Sequence, residues 1–290
     1  MQGIIIRAVG GFYDVQSDEG AVVRCRARGR FKKEGTTIYA GDRVRFTFLS
    51  ETEGVLEEVK PRESFLVRPP VANVDQVMIV CAPQDPPLSL QLLDRLLVLA
   101  ESQSLRSVIC MNKDDLPHDE ESALRDLYGG AGYTVLFTSA LYGQGIEDVK
   151  KQLCKRITVL AGPSGVGKSS LLNRIQPGLQ LKTAEISEKS KRGRHTTRHV
   201  ELLTLDCGGL VADSPGFSQL DLSGVASGEL PFFFPEFQDF SPQCRFKSCK
   251  HHNEPDCAVK DALEKGEIAS SRYNNYLVFL EEVMAQERSY

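Results

Sequence analysis

The sequence has little that would place it in a membrane or outside the cell. Its longest uninterrupted apolar run, VMIVCA at 77–82, is far shorter than the roughly 20 residues that a membrane helix needs. The N-terminal MQGIIIRAVGG lacks the basic start and long apolar core of a secretory signal peptide. We therefore expect a cytoplasmic protein whose eight cysteines are free thiols or metal ligands, not a disulfide framework.

The sequence also lacks a strong charge imbalance and internal repeats. Its formal net charge of −4 over 290 residues is mild and does not indicate a partner. Two segments nevertheless carry basic residues and no acid, VVRCRARGRFKK at 22–33 and KSKRGRHTTRH at 189–199. Such runs are most often solvated surface, but two of them in an acidic chain make nucleic acid a candidate partner.

The first sixty residues have the pattern of a small β-barrel. About five short β-rich runs are separated by turn signals such as Gly10-Gly11 and Gly41-Asp42. This favours an OB fold, although an SH3-like barrel has much the same pattern. We assign residues 1–68 to an OB-fold RNA-binding domain and interpret KPRESFLVRPP at 60–70 as a linker.

From Val71 onward, strand and helix patterns alternate. DQVMIVCA at 75–82 is typical of a buried strand, and LQLLDRLLVLAESQ at 90–103 has helical spacing. The alternation predicts a doubly wound, mainly parallel α/β sheet, which we assign to residues 69–220. Residues 221–290 are aromatic and proline-rich, then rich in Cys and His, then helical, and we assign them to a zinc-binding helical domain.

A phosphate-binding loop follows the strand pattern RITVLAG at 156–162. GPSGVGKS matches G-x-x-x-x-G-K-[ST] and opens a predicted helix, which is the context that the motif requires. Backbone N–H groups and the helix N-terminus can bind phosphate oxygens, Lys168 the β- and γ-phosphates, and Ser169 Mg²⁺. The predicted nucleotide-binding residues of this loop are Gly162, Pro163, Ser164, Gly165, Val166, Gly167, Lys168, Ser169 and Ser170.

Two segments at predicted strand ends indicate guanine. In NKDDL at 112–116, Asp115 can accept from both N–H groups on the Watson–Crick edge of guanine, a pair that adenine lacks. Asn112 can bond the ring and O6 region, and Lys113 can pack along the base. FTSA at 137–140 follows the next strand and offers backbone N–H groups to guanine O6 at Ser139 and Ala140. The two segments favour GTP over ATP and argue against a nucleotide kinase or an ATPase.

The order of these motifs is rotated relative to an ordinary GTPase. VADSPGF at 211–217 supplies D-x-x-G, in which Asp213 would hold Mg²⁺ through water and the Gly216 N–H would meet the γ-phosphate. The base motifs thus precede the phosphate loop instead of following it. Because a parallel sheet depends on spatial adjacency and chain termini often lie close together, this order predicts a circular permutation.

On these motifs the chain resembles the RsgA family (also called YloQ, YjeQ or EngC) of circularly permuted bacterial GTPases. The resemblance covers essentially the whole chain, from the barrel through RPPVANVD at 68–75 and the rotated motifs to a Cys/His tail. It implies a GTP phosphohydrolase that binds the small (30S) ribosomal subunit and its 16S rRNA. Such an enzyme acts late in the maturation of the subunit, and the subunit stimulates its GTP hydrolysis. We expect a monomer.

The Cys/His tail forms the pattern C-x4-C-x-H-x5-C. Its four soft ligands would fill a tetrahedral Zn²⁺ shell with no open position, which predicts one structural zinc ion per chain. His252 could replace His251, and the spacing of the family favours His251. Reduced buried cysteines without a metal are the alternative. The predicted zinc ligands are Cys244, Cys249, His251 and Cys257.

The segment between the phosphate loop and D-x-x-G must supply a threonine to Mg²⁺. We select Thr197, with Thr196 as the alternative. Phe217 follows D-x-x-G where many GTPases have a water-orienting glutamine, so another group must orient the water, and we select His195. His195 could instead belong to a basic loop that contacts RNA. The predicted catalytic residues are His195, Lys168 and Thr197, and the predicted Mg²⁺ ligands are Ser169, Thr197 and Asp213.

One alternative function belongs to a different class. The chain could be a zinc-containing RNA-binding module for which GTP is mainly a regulatory ligand. Turnover separates the two hypotheses, because only the GTPase hypothesis expects saturating small subunits to raise hydrolysis above the level of the free protein.

Overall fold

The computed structural model of the chain describes residues 1–117, 121–179, 200–213 and 221–288, with residues 32, 33 and 213 described by their backbone alone. It comprises a barrel, a six-stranded sheet with a hydrophobic cluster on each face, and a helical C-terminal region. Within those residues, no helix is both long and apolar enough to cross a membrane.

The N-terminal barrel is built from short alternating strands. Inward-facing residues such as Ile5, Val15 and Leu56 are fully buried while their neighbours along the strand face outward, as the two-residue period of a strand requires. The barrel closes in the order β1-β2-β3-β5-β4, which confirms the OB-like prediction. Its elements are β1 (Gln2–Val9), β2 (Phe12–Ser17), β3 (Val22–Ala27), α1 (Gly29–Lys33), β4 (Arg43–Phe48) and β5 (Glu53–Val59).

The segment predicted to be a linker forms a small hairpin. Strands β6 (Phe65–Val67) and β7 (Pro70–Ala72) pair antiparallel. Just before them, the Arg62 guanidinium donates to both carboxylate oxygens of the buried Asp42 at 2.7 and 3.0 Å. This ion pair fixes the start of the connection to the barrel. The sequence prediction missed the hairpin because Pro70 is unusual within a strand, but here it pairs with Val67 at the turn.

The central sheet has the strand order β10-β9-β8-β11-β13-β12. All neighbouring pairs are parallel except the edge strand β12, which runs antiparallel to β13. This confirms the mainly parallel, doubly wound prediction. The elements are β8 (Gln76–Cys81), α2 (Leu90–Glu101), β9 (Arg106–Asn112), α3 (Glu121–Gly130), β10 (Thr134–Thr138), α4 (Ile146–Leu153), β11 (Ile157–Ala161), α5 (Lys168–Ile175), β12 (Leu202–Thr204) and β13 (Leu210–Asp213).

The sheet is buried on both faces, which is why its strands are apolar throughout. Val77 and Ile79 of β8 belong to one hydrophobic cluster, whereas Met78 and Val80 belong to the cluster on the other face. A strand covered on both sides has no polar face, so it appears in the sequence as a continuous apolar run. Because β8, β9, β10, β11 and β13 are parallel, the loops after them meet at one edge.

The C-terminal region packs its aromatic side chains into a core of its own. Three turns of 3₁₀ helix (Leu230–Phe233, Pro235–Phe237 and Ser241–Gln243) precede α6 (Ala258–Glu264) and α7 (Ser270–Glu287). The rings of Phe234, Phe237 and Tyr276 lie 5.1–5.2 Å apart, at stacked or edge-on angles. These contacts give the region a hydrophobic centre, and Val98 of α2 takes part in it.

A buried charge network joins this region to the sheet. The Arg272 guanidinium on α7 donates to Asp94 of α2 at 2.7 Å and to Glu236 at 2.6 and 3.0 Å, and the side chains of Arg272 and Asp94 are both only 1% exposed. Tyr128 of α3 and Asn275 donate to the same aspartate at 2.9 and 2.6 Å. Burial raises the pKa of Tyr128, which keeps its hydroxyl protonated as a donor. Each of the two carboxylates therefore accepts a hydrogen bond from the guanidinium, and Asp94 accepts two more from neutral donors.

Candidate nucleotide site and metal site

The phosphate loop occupies residues 162–167, between β11 and α5. The ammonium of Lys168, at the start of α5, donates to the carbonyl oxygens of Gly162 and Pro163 at 2.9 and 2.7 Å. Val166 is buried, whereas Ser164 and Gly165 are exposed at the tip of the loop. The loop is thus anchored at Val166 and closed by its own lysine. Its backbone remains open to solvent where phosphate would bind.

Two glycines of this loop are required by close contacts. A Cβ on Gly162, where φ is +124°, would lie 2.0 Å from the carbonyl oxygen of Val80 on β8. A Cβ on Gly167, where φ is +92°, would lie 2.4 Å from Nδ2 of Asn112. Real Cβ atoms do not make such contacts, and left-handed φ values also favour glycine. The second contact shows how closely the phosphate loop approaches the NKDDL segment.

Asn112 joins the phosphate loop to both segments predicted to bind guanine. It ends β9, and its side chain is almost fully buried. Its Nδ2 donates to the carbonyl oxygen of Val166 at 2.8 Å, and its Oδ1 accepts from the N–H of Ala140 at 3.1 Å. Three loops that are far apart in sequence are therefore held together by one amide group.

The Asp115 carboxylate is oriented by Ser139. The Ser139 hydroxyl donates to Asp115 Oδ1 at 2.5 Å and accepts from the N–H of Tyr142 at 3.2 Å. Asp115 is exposed, so the carboxylate can reach a ligand while one oxygen stays tied to the protein. Sequence analysis selected Ser139 for its backbone only. The role of its side chain could not be seen from a two-residue motif.

Lys113, the second residue of NKDDL, contacts another loop. Its φ is 63°, and its ammonium donates to the carbonyl oxygen of Asp85 in the loop after β8. Sequence analysis did not select that loop, because it carries no motif. The direction of Lys113 is nonetheless set by it.

The remaining predicted nucleotide residues are only partly described. Ser169 and Ser170 lie in the first turn of α5. Asp213 ends β13, where its backbone is paired in register with Leu160 of β11, the strand that leads into the phosphate loop. The other predicted residues lie outside the described residues, namely Gly216, His195, Thr197 and its alternative Thr196.

A second site lies in the C-terminal region. Within the described residues, one group of potential metal ligands comes together, with all ligand atoms within 4.8 Å of one another: Cys244, Cys249, His251 and Cys257. The Nδ1 of His251 lies 3.6 Å from Cys244 Sγ and 3.4 Å from Cys257 Sγ. Three sulfurs and one imidazole nitrogen facing one point suit a soft, tetrahedral metal ion.

The surroundings of the cluster select His251 over His252. The side chain of His251 is buried, and its Nε2 lies 3.1 Å from Ser241 Oγ, a hydrogen bond that leaves Nδ1 to face the sulfurs. Burial lowers the pKa of His251 and so favours the neutral imidazole that binds metals. Burial also raises the pKa of Cys249 to about 12, so a thiolate there requires a bound cation. The His252 ring lies beside Asn253, outside the cluster.

The fold and these loops define the class of the protein. A parallel sheet with its phosphate loop after β11 and its Asn-Lys-x-Asp loop after β9, earlier in the chain, is a circularly permuted P-loop GTPase. Residues 59–223 match the model of the RsgA GTPase family, and residues 2–56 match that of the RsgA N-terminal domain. The chain belongs to the RsgA family.

Individual relatives are similar over the full length. The chain is 51% identical to the small ribosomal subunit biogenesis GTPase RsgA of Moorella thermoacetica over 100% of both chains, and 49% identical to that of a Geobacillus species over 100% of this chain and 99% of the relative. Among solved structures, YjeQ from Thermotoga maritima has a TM-score of 0.87 at 41% identity, covering 98% of each chain. YloQ, described as a circularly permuted GTPase, has 0.84 at 39%, covering 98% of this chain and 95% of its own.

Proposed function

We propose that this GTPase binds the small ribosomal subunit and its 16S rRNA, assists late maturation, and hydrolyses GTP to GDP and phosphate with stimulation by the subunit. Relatives that match its full length carry the name small ribosomal subunit biogenesis GTPase. The observation that carries the nucleotide assignment is the Asn112 amide, which joins the phosphate loop to both guanine segments.

In the proposed complex, the loop at 162–170 binds the phosphates and the NKDDL loop binds the base. Asp115 accepts from the Watson–Crick edge of guanine, and the backbone at Ser139 and Ala140 faces O6. Mg²⁺, when bound by Ser169, Thr197 and Asp213, would neutralise charge on the phosphates. Support comes from the position of Ser169, in the first turn of α5 directly after the phosphate loop, and from that of Asp213, which ends β13 in register with Leu160 of β11, the strand that leads into this loop.

For hydrolysis we propose that Lys168 holds the transferred phosphate, Thr197 completes the metal shell, and His195 orients the water. Lys168→Ala should abolish turnover. His195→Ala should leave GTP binding near wild type and lower subunit-stimulated turnover by about 10²-fold, a typical loss for a positioned acid–base group. Unchanged turnover in His195→Ala would assign this histidine to RNA contact or to no role.

For the cluster in the C-terminal region we propose one structural zinc ion per chain, held by all four ligands. The chemistry of the donor set supports this, because three thiolates and one imidazole fill a tetrahedral shell and leave no open position for catalysis. Metal analysis of carefully prepared protein should give about one equivalent of zinc, and a value below about half would contradict the site.

For rRNA we propose contacts from the barrel and from the basic segment at 189–199. On the barrel, Arg24 and Arg28 pair with acids at 3.0 and 2.6 Å, whereas the guanidinium of Arg26 lies 4.9 Å from the ring centre of the exposed Phe12. An exposed ring beside an arginine suits base stacking as well as phosphate contact. Binding should therefore weaken steeply as salt is raised.

We also propose domain boundaries near residues 68 and 220, a monomeric state, and a cytoplasmic location, where ribosomal subunits are assembled.

Because the chain runs from Asp213 directly into the C-terminal region, nucleotide state can influence how that region meets RNA. Subunit binding should be tighter with a non-hydrolysable GTP analogue than with GDP. Equal affinity in both states would exclude this switch but not the GTPase assignment.

Turnover measured with and without purified small subunits tests the proposed function. We expect saturating subunits to raise hydrolysis well above the level of the free protein. No stimulation would favour an RNA-binding module that uses GTP as a regulatory ligand. Competition of labelled GTP by ATP tests base choice in the same assay, and effective competition by ATP would contradict the guanine site.

A further inference from the structure

The loop between β8 and α2, residues 82–89, contacts Lys113 within the NKDDL segment and Pro117 directly after it. The side-chain amide of Gln84 donates through Nε2 to the carbonyl oxygen of Pro117 at 2.7 Å. The carbonyl oxygen of Asp85 accepts from the Lys113 ammonium. Lys113 and Pro117 flank the residues that carry the base-recognising carboxylate. One loop without any nucleotide-binding motif therefore holds the base loop at two points.

The opposite side of the base loop is held by β10 and the segment after it. The N–H of Asp114 donates to the carbonyl oxygen of Thr138 at 3.0 Å, and the Ser139 hydroxyl donates to Asp115. The loop turns back on itself through the N–H of Leu116, which donates to the Lys113 carbonyl oxygen at 3.0 Å. Asp115 thus lies in a short turn that is fixed from two sides, by β10 and by residues 84–85.

The same loop lies close to the phosphate loop. The Cδ atom of Pro86 lies 3.7 Å from the position that a Cβ on Gly165 would occupy, an ordinary van der Waals distance. Residues 84–86 therefore contact the base loop and extend towards the phosphate loop. A change in this loop would alter the spacing between the two halves of the nucleotide site.

We propose that Gln84 is a positioning residue for guanine recognition, acting through Pro117 on the orientation of the Asp115 carboxylate. This rests on the proposed role of Asp115 as the guanine acceptor. Gln84 is exposed, so its loss opens no cavity in a core. A misdirected carboxylate would lose the bond to the exocyclic amino group of guanine more than it would weaken phosphate binding. The signature is thus a change in base selectivity.

The test compares GDP with IDP, whose base lacks that amino group, by calorimetric titration. Gln84→Met keeps the length of the side chain but removes the donor. We expect it to lower the ratio of GDP affinity to IDP affinity by about three- to tenfold, the effect of one hydrogen bond, with an unchanged unfolding temperature. Gln84→Lys keeps a donor that reaches a carbonyl and should restore at least half of the lost ratio. Its added charge acts on the phosphates of both nucleotides alike and cancels in the ratio.

Gln103→Met is the matched control, because Gln103 is an exposed glutamine after α2, away from the base loop, and it should leave the ratio unchanged. An unchanged ratio in Gln84→Met would overturn the proposal, as would an equal loss of GDP and IDP affinity or a failure of Gln84→Lys to restore the ratio. Asp115→Asn tests the underlying assignment separately. It should shift the binding preference from GDP towards xanthosine diphosphate. An unchanged preference for GDP in Asp115→Asn would overturn the base site itself.

Discussion

The barrel and the C-terminal region are attached to the central sheet in different ways. The barrel is joined by backbone hydrogen bonds at its connection, such as Ala72 N–H to the Ala40 carbonyl oxygen at 2.9 Å, by the exposed Arg7–Glu201 pair, and by Ile4 and Ile6, which pack against a hydrophobic cluster of the sheet. The C-terminal region is joined to α2 by a buried ion pair between Arg272 of α7 and Asp94 of α2. Both partners of the Arg272–Asp94 pair are buried, whereas Arg62, the partner of the buried Asp42 at the barrel connection, is partly solvated. Because an uncompensated charge costs most where water is excluded, the second joint should be more sensitive to substitution than the first.

The largest expected effect is loss of the proposed zinc ion. Cys249→Ala, or removal of zinc by a chelator, should unfold the C-terminal region locally, because small zinc modules gain much of their folding free energy from the metal. Loss of helical circular dichroism and proteolysis after residue 220 would measure it. GTP binding should change by less than about tenfold, since the nucleotide loops lie on the sheet.

Cys154→Ala is the matched control, because Cys154 follows α4, far from the metal cluster in sequence, and belongs to none of the candidate ligands. It should leave the zinc content unchanged. A Cys249→Ala protein with wild-type helix content and wild-type resistance to proteases would show that the aromatic core alone holds this region together.

The next largest effect is expected at the buried charge network. Arg272→Met leaves Asp94 and Glu236 without their guanidinium and should lower the free energy of unfolding by about 3–5 kcal/mol. Because the sequence has no tryptophan, urea unfolding is best followed by circular dichroism. Adding Asp94→Asn and Glu236→Gln to Arg272→Met should recover part of the loss. A loss below about 1 kcal/mol would mean that the joint is as tolerant as that of the barrel.

A smaller effect is expected at the barrel side of the connection. Arg62→Met removes the partner of Asp42, whose carboxylate is buried but still accepts from the N–H of Tyr39 at 2.8 Å. Since Arg62 itself is partly solvated, water can replace some of the interaction. We expect a loss of about 1–3 kcal/mol in urea unfolding. A loss larger than that of Arg272→Met would reverse the comparison.

The smallest effect is expected where the barrel meets the edge of the sheet. Thr204 Oγ1 on β12 donates to Gln16 Oε1 on β2 at 3.0 Å. Thr204→Val keeps the shape of the side chain and should cost about 0.5–1.5 kcal/mol, the value of one neutral hydrogen bond. Gln16→Ala in the Thr204→Val background should add little if the two residues act as a pair. A fully additive second loss would show that they stabilise the joint independently.

Most of the fold could be predicted because its signals are local. In the barrel strands, apolar and polar residues alternate with a period of two, and the buried strands of the sheet are continuous apolar runs. Both patterns can therefore be recognised in a stretch of a few residues. The hairpin at β6 and β7 could not be predicted, because strands of three residues with a proline carry too little signal. It is held by contacts with distant residues, such as the hydrogen bond from the Ala72 N–H to the Ala40 carbonyl oxygen, thirty-two residues away.

The candidate site divides in the same way. The phosphate loop and NKDDL are contiguous motifs whose chemistry follows from their own residues, and their rotated order was visible in the chain itself. The links between them were not, because Asn112 meets Val166 only after β9 and β11 have taken their places on either side of β8. Gln84 carries no motif at all, and only its distance to Pro117 gives it a role.

The sequence by itself determined the class of chemistry: a guanine nucleotide on a phosphate loop, and a set of cysteine and histidine side chains that could hold a metal ion. Ligand type and short-range spacing decide what can be bound. Tertiary structure decided which of two neighbouring residues faces a site. The His251 ring points towards the cysteine sulfurs, whereas the His252 ring points towards Asn253. Tertiary structure also decided how the regions are joined. Arg272 and Asp94 are 178 residues apart, and only packing can bring two such charges together away from water.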